Sequence, residues 1–528
     1  MDHAVTGHVD TEANDEQNFE QDPVRARVQA LRSWNDDWTG LRVAVLGLGV
    51  TGFSVADTLV ELGSRVRVLH GAPDAERENL LDVIGAERLS GADDAAQLAD
   101  LQEFDPELVV VSPGYRPDHP LVQWAEGRGV TVWGDIQLGW RLRDKTARVA
   151  DWICITGTNG KTTTTQLTAH MLKAGGLRVA PVGNIGVPIL DALRDPQGYD
   201  VLVVELSSFQ LHRIGEISPY ASVCLNVADD HLDWHGSARR YRTAKARVYE
   251  HTQVACVYNR ADDATLQMVE EADVVEGARA ISFGLDTPGP SGVGIVDGLL
   301  IDRAFHDDRH HSAYELITVE ELEKRGLGAP HVLQNILAAA ALARSRGVAP
   351  LDIAEALGGF EMDAHRVQRL GEFAGVAWVD DSKATNAHAA QASLRSFERI
   401  VWIVGGLLKG VDLDELVRLN HGRLAGVVVI GVDRAPVLAA LSRHAPQVPS
   451  FEVVPGDTEG DDVMVRAVRA AATLAQAGDT VLLSPAAASM DQFDSYADRG
   501  RRFQEALGAL KDEGAQGDDV GTAGSTEA

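Results

Sequence analysis

The run Thr156-Gly157-Thr158-Asn159-Gly160-Lys161-Thr162 follows an apolar stretch and precedes a helix-compatible one, TTTQLTAHMLKAGG. Glycines in such a turn let backbone N–H groups face phosphate oxygens. A lysine there reaches a terminal phosphoryl, and a threonine hydroxyl can ligate magnesium. Position 155 is Ile, where the strict G-x-x-x-x-G-K-[ST] pattern requires Gly, so the match is to a shortened phosphate loop. Glu205 ends a second apolar run and leads into Leu206-Ser207-Ser208-Phe209-Gln210. Alone, such a Glu is more often a solvated strand end than a ligand. His231 and His235 have i,i+4 spacing, but Leu232 stands where H-E-x-x-H needs its Glu, so zinc is rejected. Magnesium held by oxygen ligands and phosphate is the better reading. His306, His310 and His311 read as a solvated loop, and Lys245 by itself as a surface helix lysine. Gly47-Leu48-Gly49-Val50-Thr51-Gly52 would suggest a dinucleotide, yet His70 ends the next strand where an acid should grip the ribose.

These groups need elements to hold them. A chain of 528 residues is too long for one core, and three domains is the natural expectation. Apolar β-branched runs (within 41–52, 376–382, 399–406, 426–431 and 479–485) alternate with helical stretches such as ADDAAQLADLQ, the pattern of parallel α/β sheets. Asp297-Gly298 between apolar runs predicts an antiparallel hairpin. Residues 1–35 and 513–528, acidic and poor in aromatics, read as disordered tails. The polar N-terminus is not a secretory signal, and no apolar run approaches a membrane span. Cys154, Cys224 and Cys256 lie in short apolar runs without CxxC spacing and read as buried strand thiols in a reducing cytoplasm. A formal charge of −30 argues against a nucleic-acid partner, and it obliges any anion site to supply its own local positive charge.

Taken together, the blocks resemble one family. T-G-T-N-G-K-T looks like the ATP loop of the Mur ligases and their folylpolyglutamate synthetase relatives. The segments at Glu205 and Asn226–Asp233 resemble that family's E-x-S-S-F-Q and N-x-x-x-D-H-x-D blocks. The resemblance implies that Gly157, Thr158, Asn159, Gly160, Lys161, Thr162 and Thr163 cradle ATP. It implies Thr162, Glu205, His231 and a carbamylated Lys245 (in Y-x-x-x-K) as the magnesium set. Asn184, Ser207 and Gln210 would lie near metal or the muramoyl end of the substrate. His331–Asn335 resembles H-N-x-x-N with Val332 replacing the first Asn, leaving Asn335 for the nucleotide. His365-Arg366 and Asp380–Asn386 resemble the H-R and D-S-K-A-T-N blocks, with Arg366 clamping the phosphoryl group and Asp381 and Lys383 completing the nucleotide site.

Leu483–Phe493 resembles the S-P-x-x-A-S-x-D-Q-F block of the D-glutamate-adding members. Thr385 and Lys409 would then take the amino acid's α-carboxylate, and Ser489 and the Tyr496 N–H its side-chain carboxylate. In those members the first domain binds UDP, with Val50 and Thr51 at the diphosphate and Ser112 in a further matching block. The implied architecture is a Rossmann-like UDP-binding domain (36–140), a central P-loop ATPase-like domain (141–362) and a Rossmann-like amino-acid-binding domain (363–512). The implied chemistry is ATP- and Mg²⁺-dependent joining of D-glutamate to UDP-N-acetylmuramoyl-L-alanine by a cytoplasmic monomer. The alternatives are a sibling ligase acting on another amino acid or on folate, and a non-catalytic UDP-sugar-binding paralogue.

Overall fold

The computed structural model describes residues 22–91, 93–454 and 462–521. It contains three sheets, each with helices against it. The first runs, edge to edge, Glu87–Ser90, Arg65–His70, Arg42–Leu46, Leu108–Val111 and Thr131–Gly134, all parallel. Leu108–Val111 is buried at every position, as a strand covered on both faces must be.

The second sheet has nine strands, ordered Tyr314–Thr318, Leu299–Asp302, Gly292–Val296, Arg279–Phe283, Ala255–Asn259, Ala221–Cys224, Asp151–Thr156, Val201–Glu205 and Val179–Gly183. It is parallel except where Gly292–Val296, Leu299–Asp302 and Tyr314–Thr318 run antiparallel. The expected hairpin lies there: Asp297 (φ +49°) and Gly298 (φ +77°) form a two-residue turn with both residues left-handed, whose twist matches paired strands. The third sheet is ordered Gln368–Phe373, Val376–Asp380, Thr480–Leu483, Ile400–Gly405, Leu424–Ile430 and Ser450–Glu452, with only the first strand antiparallel. Its central strand shows the period of two: Ile400, Trp402 and Val404 enter one core cluster, Val401 and Ile403 the other.

The polypeptide separates into two compact units. Residues 1–226, 242–325 and 333–358 make the first, which holds the first and second sheets. Residues 227–241, 326–332 and 359–528 make the second, so the His231 segment packs with the third sheet.

The tail expectation is corrected at both ends. Pro23–Ala30 is a helix: Asp22 accepts the Val24 N–H as its N-cap, proline occupies the first turn, and Val28 is buried. Composition hid it because eight residues with one buried apolar group carry little periodic signal. At the other end, the last helix runs Tyr496–Gly521 and so takes in the start of the expected tail. Residues 1–21 and 522–528 of those tails lie outside the described residues. The three cysteines are buried in strands, as read. Among the described residues no helix is long and apolar enough to cross a membrane.

Candidate functional site

In the first unit, the strand Asp151–Thr156 ends in the phosphate loop and the helix Lys161–Ala174 begins immediately after it. Gly160 sits at φ +83°, and a Cβ there would stand 2.4 Å from Asn335 Oδ1, so the loop can close on Asn335 only with glycine. Asn226 pins the loop from the other side: its carbonyl accepts the Thr158 N–H (2.9 Å) and its Oδ1 the Asn159 N–H (2.9 Å). Lys161 Nζ donates to the Gly157 and Thr158 carbonyls, both at 2.9 Å. Thr162 and Thr163 are buried in the first helical turn, where the helix dipole adds partial positive charge. Lys245, 1% exposed, reaches the same loop and donates to the Gly157 carbonyl at 2.8 Å. A surface lysine would not be there.

Glu205 closes the neighbouring strand. Asn184 Nδ2 donates to its Oε1 at 2.8 Å, while Oε2 is buried with no hydrogen-bond partner among the described residues. An orphaned buried carboxylate oxygen beside a phosphate loop fits a hard cation. Ser207 and Gln210 form a reciprocal cap on the helix Ser208–His212. At the glycine turn of the first sheet, Val50 and Thr51 begin the helix Val50–Glu61. Ser112 lies beside them, its N–H on the Leu46 carbonyl at 3.0 Å and its Oγ buried without a partner among the described residues. His70 is buried, with Nδ1 2.9 Å from the Ala72 carbonyl oxygen.

The second unit gathers the remaining candidates. Lys409 Nζ lies 3.4 Å from His231 Nε2 and 3.5 Å from Asp230 Oδ1, and Asn386 Nδ2 donates to Asp230 Oδ2 at 3.3 Å. Thr385 is adjacent to Asn386, and its N–H donates to the Lys383 carbonyl. Leu407 and Ala488 exchange both backbone hydrogen bonds (2.9 and 3.0 Å), which brings the Lys409 and Ser489 loops together. Gly406 makes that approach possible: φ is +133° and a Cβ would meet the Ala488 carbonyl oxygen at 2.4 Å. Lys383 Nζ donates to the Tyr496 hydroxyl oxygen at 3.0 Å.

Arg366 lies between His365 (φ +66°) and Val367 (φ +46°), left-handed conformations that are costly for side chains with a Cβ and worst for a β-branched one. The His365 imidazole on Asp380 (2.7 Å) and the Val367 N–H on Asp381 (3.3 Å) hold that geometry. Ser393 and Ser484 hydroxyls also donate to Asp381, yet burial pushes its carboxyl up to about 7. Burial, and then Arg366, lowers the pKa of His331. Arg499 was not foreseen. Fully buried, it donates to Ser382 Oγ and carbonyl (2.9 and 2.7 Å) and to the Ala487 carbonyl (3.1 Å), tying the 380–386 and 484–489 loops together. With Arg501 and Arg502 beside it in sequence, it reads as one more charge on a polar helix face. Asn226 belongs to the N-x-x-x-D-H-x-D block, and its place just past a strand end is the sequence signal for its role in the loop.

Three family models match in order: "Mur ligase MurD-like, N-terminal domain" over residues 41–134, "Mur ligase middle domain" over 155–343, and "Mur ligase, glutamate ligase domain" over 365–487. A Leifsonia xyli subsp. xyli protein named UDP-N-acetylmuramoylalanine–D-glutamate ligase is 63% identical over 94% of this chain and 99% of its own. Proteins of the same name from Streptomyces avermitilis (49%; 90% and 99% covered) and Tropheryma whipplei strain Twist (46%; 92% and 99%) are also similar. Among solved structures, the pseudomurein peptide ligase type C of Methanothermus fervidus aligns over 89% of this chain and all of its own (TM-score 0.53, 17% identity). The UDP-N-acetylmuramate-alanine ligase MurC of Thermotoga maritima does so over the same shares (TM-score 0.52, 20% identity). At such identities these two speak for the three-domain α/β fold alone. On the sequence relatives and the three ordered models, the chain belongs to the Mur ligase family, in its UDP-N-acetylmuramoylalanine–D-glutamate ligase branch.

Proposed function

We propose that the protein joins D-glutamate to the alanyl carboxylate of UDP-N-acetylmuramoyl-L-alanine, cleaving ATP to ADP and phosphate. The alanyl carboxylate oxygen attacks the γ-phosphorus of ATP and the bond to the β-phosphate oxygen breaks, leaving an acyl phosphate and ADP. The D-glutamate amine then attacks the acyl carbon, phosphate leaves, and the amine gives up a proton. Lys161 and the 157–163 backbone hold the phosphates, and Arg366 meets charge developing on the transferring phosphoryl. Asn335, Asp381 and Lys383 support the nucleotide. Glu205, His231, Thr162 and a carbamylated Lys245 would hold magnesium, which when bound neutralises phosphate oxygens.

Val50, Thr51, Ser112, Asn184, Ser207 and Gln210 serve the UDP-muramoyl substrate. Thr385 and Lys409 take one carboxylate of the amino acid, and Ser489 and the Tyr496 N–H take the other. An amino acid with two carboxylates needs donors at both ends. The observation that carries this reading is the Leu407–Ala488 pairing, which brings the Lys409 and Ser489 loops side by side. The protein is proposed to act as a monomer in the cytoplasm.

The test is phosphate release from ATP by purified protein with magnesium and UDP-N-acetylmuramoyl-L-alanine, adding D-glutamate, L-glutamate, L-alanine or nothing. Release dependent on D-glutamate is expected. Release with another amino acid keeps the ligase and overturns the Ser489 assignment. No release with any of them, alongside tight binding of the UDP substrate, makes the protein a non-catalytic binder.

A further inference from the structure

Asp135 is a carboxylate that nothing above uses. It opens the helix Asp135–Arg141 at the end of the first sheet's edge strand, and it is 5% exposed. Burial pushes its pKa up to about 6, so the fold tolerates a costly group at this position. Its side-chain partner is Gln210, also 5% exposed, whose Nε2 donates to Asp135 Oδ2 at 3.0 Å. The other end of the same amide, Oε1, accepts from the Ser207 N–H (3.1 Å) and Ser207 Oγ (3.2 Å), while Ser207 Oγ receives the Gln210 N–H.

An amide has one donating and one accepting end. With Asp135 accepting from Nε2, Oε1 is turned to Ser207. Asp135 therefore fixes which way the Gln210 amide faces, and through it the cap that begins two residues after Glu205. The surrounding seam is tight. A Cβ on Gly215 would stand 2.3 Å from Gln137 Cδ, one on Gly134 would touch the Arg213 carbonyl at 3.4 Å, and Arg213 pairs with Glu126 at 2.8 Å.

We propose that Asp135 is a positioning residue: from the first sheet's edge it locks the Gln210–Ser207 cap and so holds the Glu205–Gln210 turn in place for metal and substrate. The inference rests on the proposed function for the identity of that metal and substrate, but its structural core does not.

The test uses the full chain with Asp135→Ala and Asp135→Asn, the latter keeping an acceptor for Gln210. Amide hydrogen exchange over residues 206–212 is followed without ligands, and Mn²⁺ affinity with ADP by paramagnetic resonance. Steady-state KM for D-glutamate completes the set. Asp135→Ala should speed exchange at 206–212 at least tenfold and weaken Mn²⁺ about tenfold, the low end for disturbing the groups around a metal site, here passed to Glu205 through the Ser207–Gln210 cap. KM for D-glutamate should stay within about twofold, and Asp135→Asn should stay within about threefold of wild type throughout, since one hydrogen bond survives. A folded Asp135→Ala protein with wild-type exchange and Mn²⁺ affinity overturns the proposal. If that variant does not melt cooperatively, Asp135→Leu, which keeps the side-chain volume without an acceptor, is read in the same way. Failure of both to fold assigns the pair to stability alone and also overturns it. Wild-type protein releasing no phosphate in response to D-glutamate would reject the proposed function while leaving the exchange result to stand or fall by itself.

Discussion

Three side chains carry distinct chemical demands. Lys161 is held over the phosphate loop by two backbone carbonyls at 2.9 Å, where its ammonium can follow charge onto a phosphoryl group. Lys161→Ala should cost at least ~100-fold in kcat, the lower end for removing a donor from a developing oxyanion. Near wild-type turnover in a phosphate-release assay would remove the loop from the mechanism. Lys245 is buried against the same loop, and a carbamate on its nitrogen would convert a cation into a metal-directed anion. Lys245→Ala should be inactive and partly rescued by acetate or other small carboxylates; normal turnover without them refutes the carbamate.

Asp381 makes a claim about stability. Its folded-state pKa of about 7 lies above the usual carboxylate value of 3.8, so between these the folded state binds the extra proton. Stability from this group is therefore fully present at low pH and is lost as pH rises towards 7, by up to roughly 1.4 kcal/mol per pH unit. Asp381→Asn, neutral throughout, should unfold with a shallower loss between pH 5 and 7. Denaturant titrations of both proteins at each pH check this, and parallel slopes would contradict it.

At the scale of elements, the site depends on loops that only glycine permits to approach. Gly406→Ala must relieve both a positive φ and a 2.4 Å encounter with the Ala488 carbonyl, and the available relief is to part the Lys409 and Ser489 loops. KM for D-glutamate should rise roughly tenfold or more, since small displacements of positioning groups are expensive. KM for ATP, whose proposed cradle is the Gly157–Lys161 loop, should change little. Equal rises in both would mean a general loss of folding instead.

These same loops explain what the sequence could disclose. Blocks such as 156–163, 205–210 and 484–489 were legible because strand, turn and chemical groups are contiguous. The hairpin at Asp297-Gly298 was legible because its turn residues dictate its geometry. Asp135 and Gln210 stand 75 residues apart and Arg499 stands 117 from Ser382, and no periodicity or spacing links such pairs. The Pro23–Ala30 helix was missed for another reason: its cap was visible, but its single buried valine was not.

The whole molecule sets a field against its own proposed substrates. With 48 basic and 78 acidic residues the net charge is −30, while ATP, the UDP substrate and D-glutamate are all anions. In the proposed site, attraction acts at short range, through Lys161, Lys383, Arg366, Lys409 and the N-terminus of the helix Lys161–Ala174. Repulsion extends much further, because the Debye length is roughly 30 Å at 0.01 M salt and 8 Å at 0.15 M. Raising salt across that range therefore removes distant repulsion before it weakens contacts within a few ångströms of a phosphate. The expected outcome is a rise in kcat/KM for the UDP substrate, on the order of two- to tenfold, the modest end of electrostatic effects on encounter. kcat itself, measured at saturation and fixed free magnesium, should hold steady. The check is a potassium chloride series at constant pH. A steady fall in kcat/KM over the same range would mean that the local cations outweigh the global charge even at long range, and that the acidic surface faces away from the path of approach.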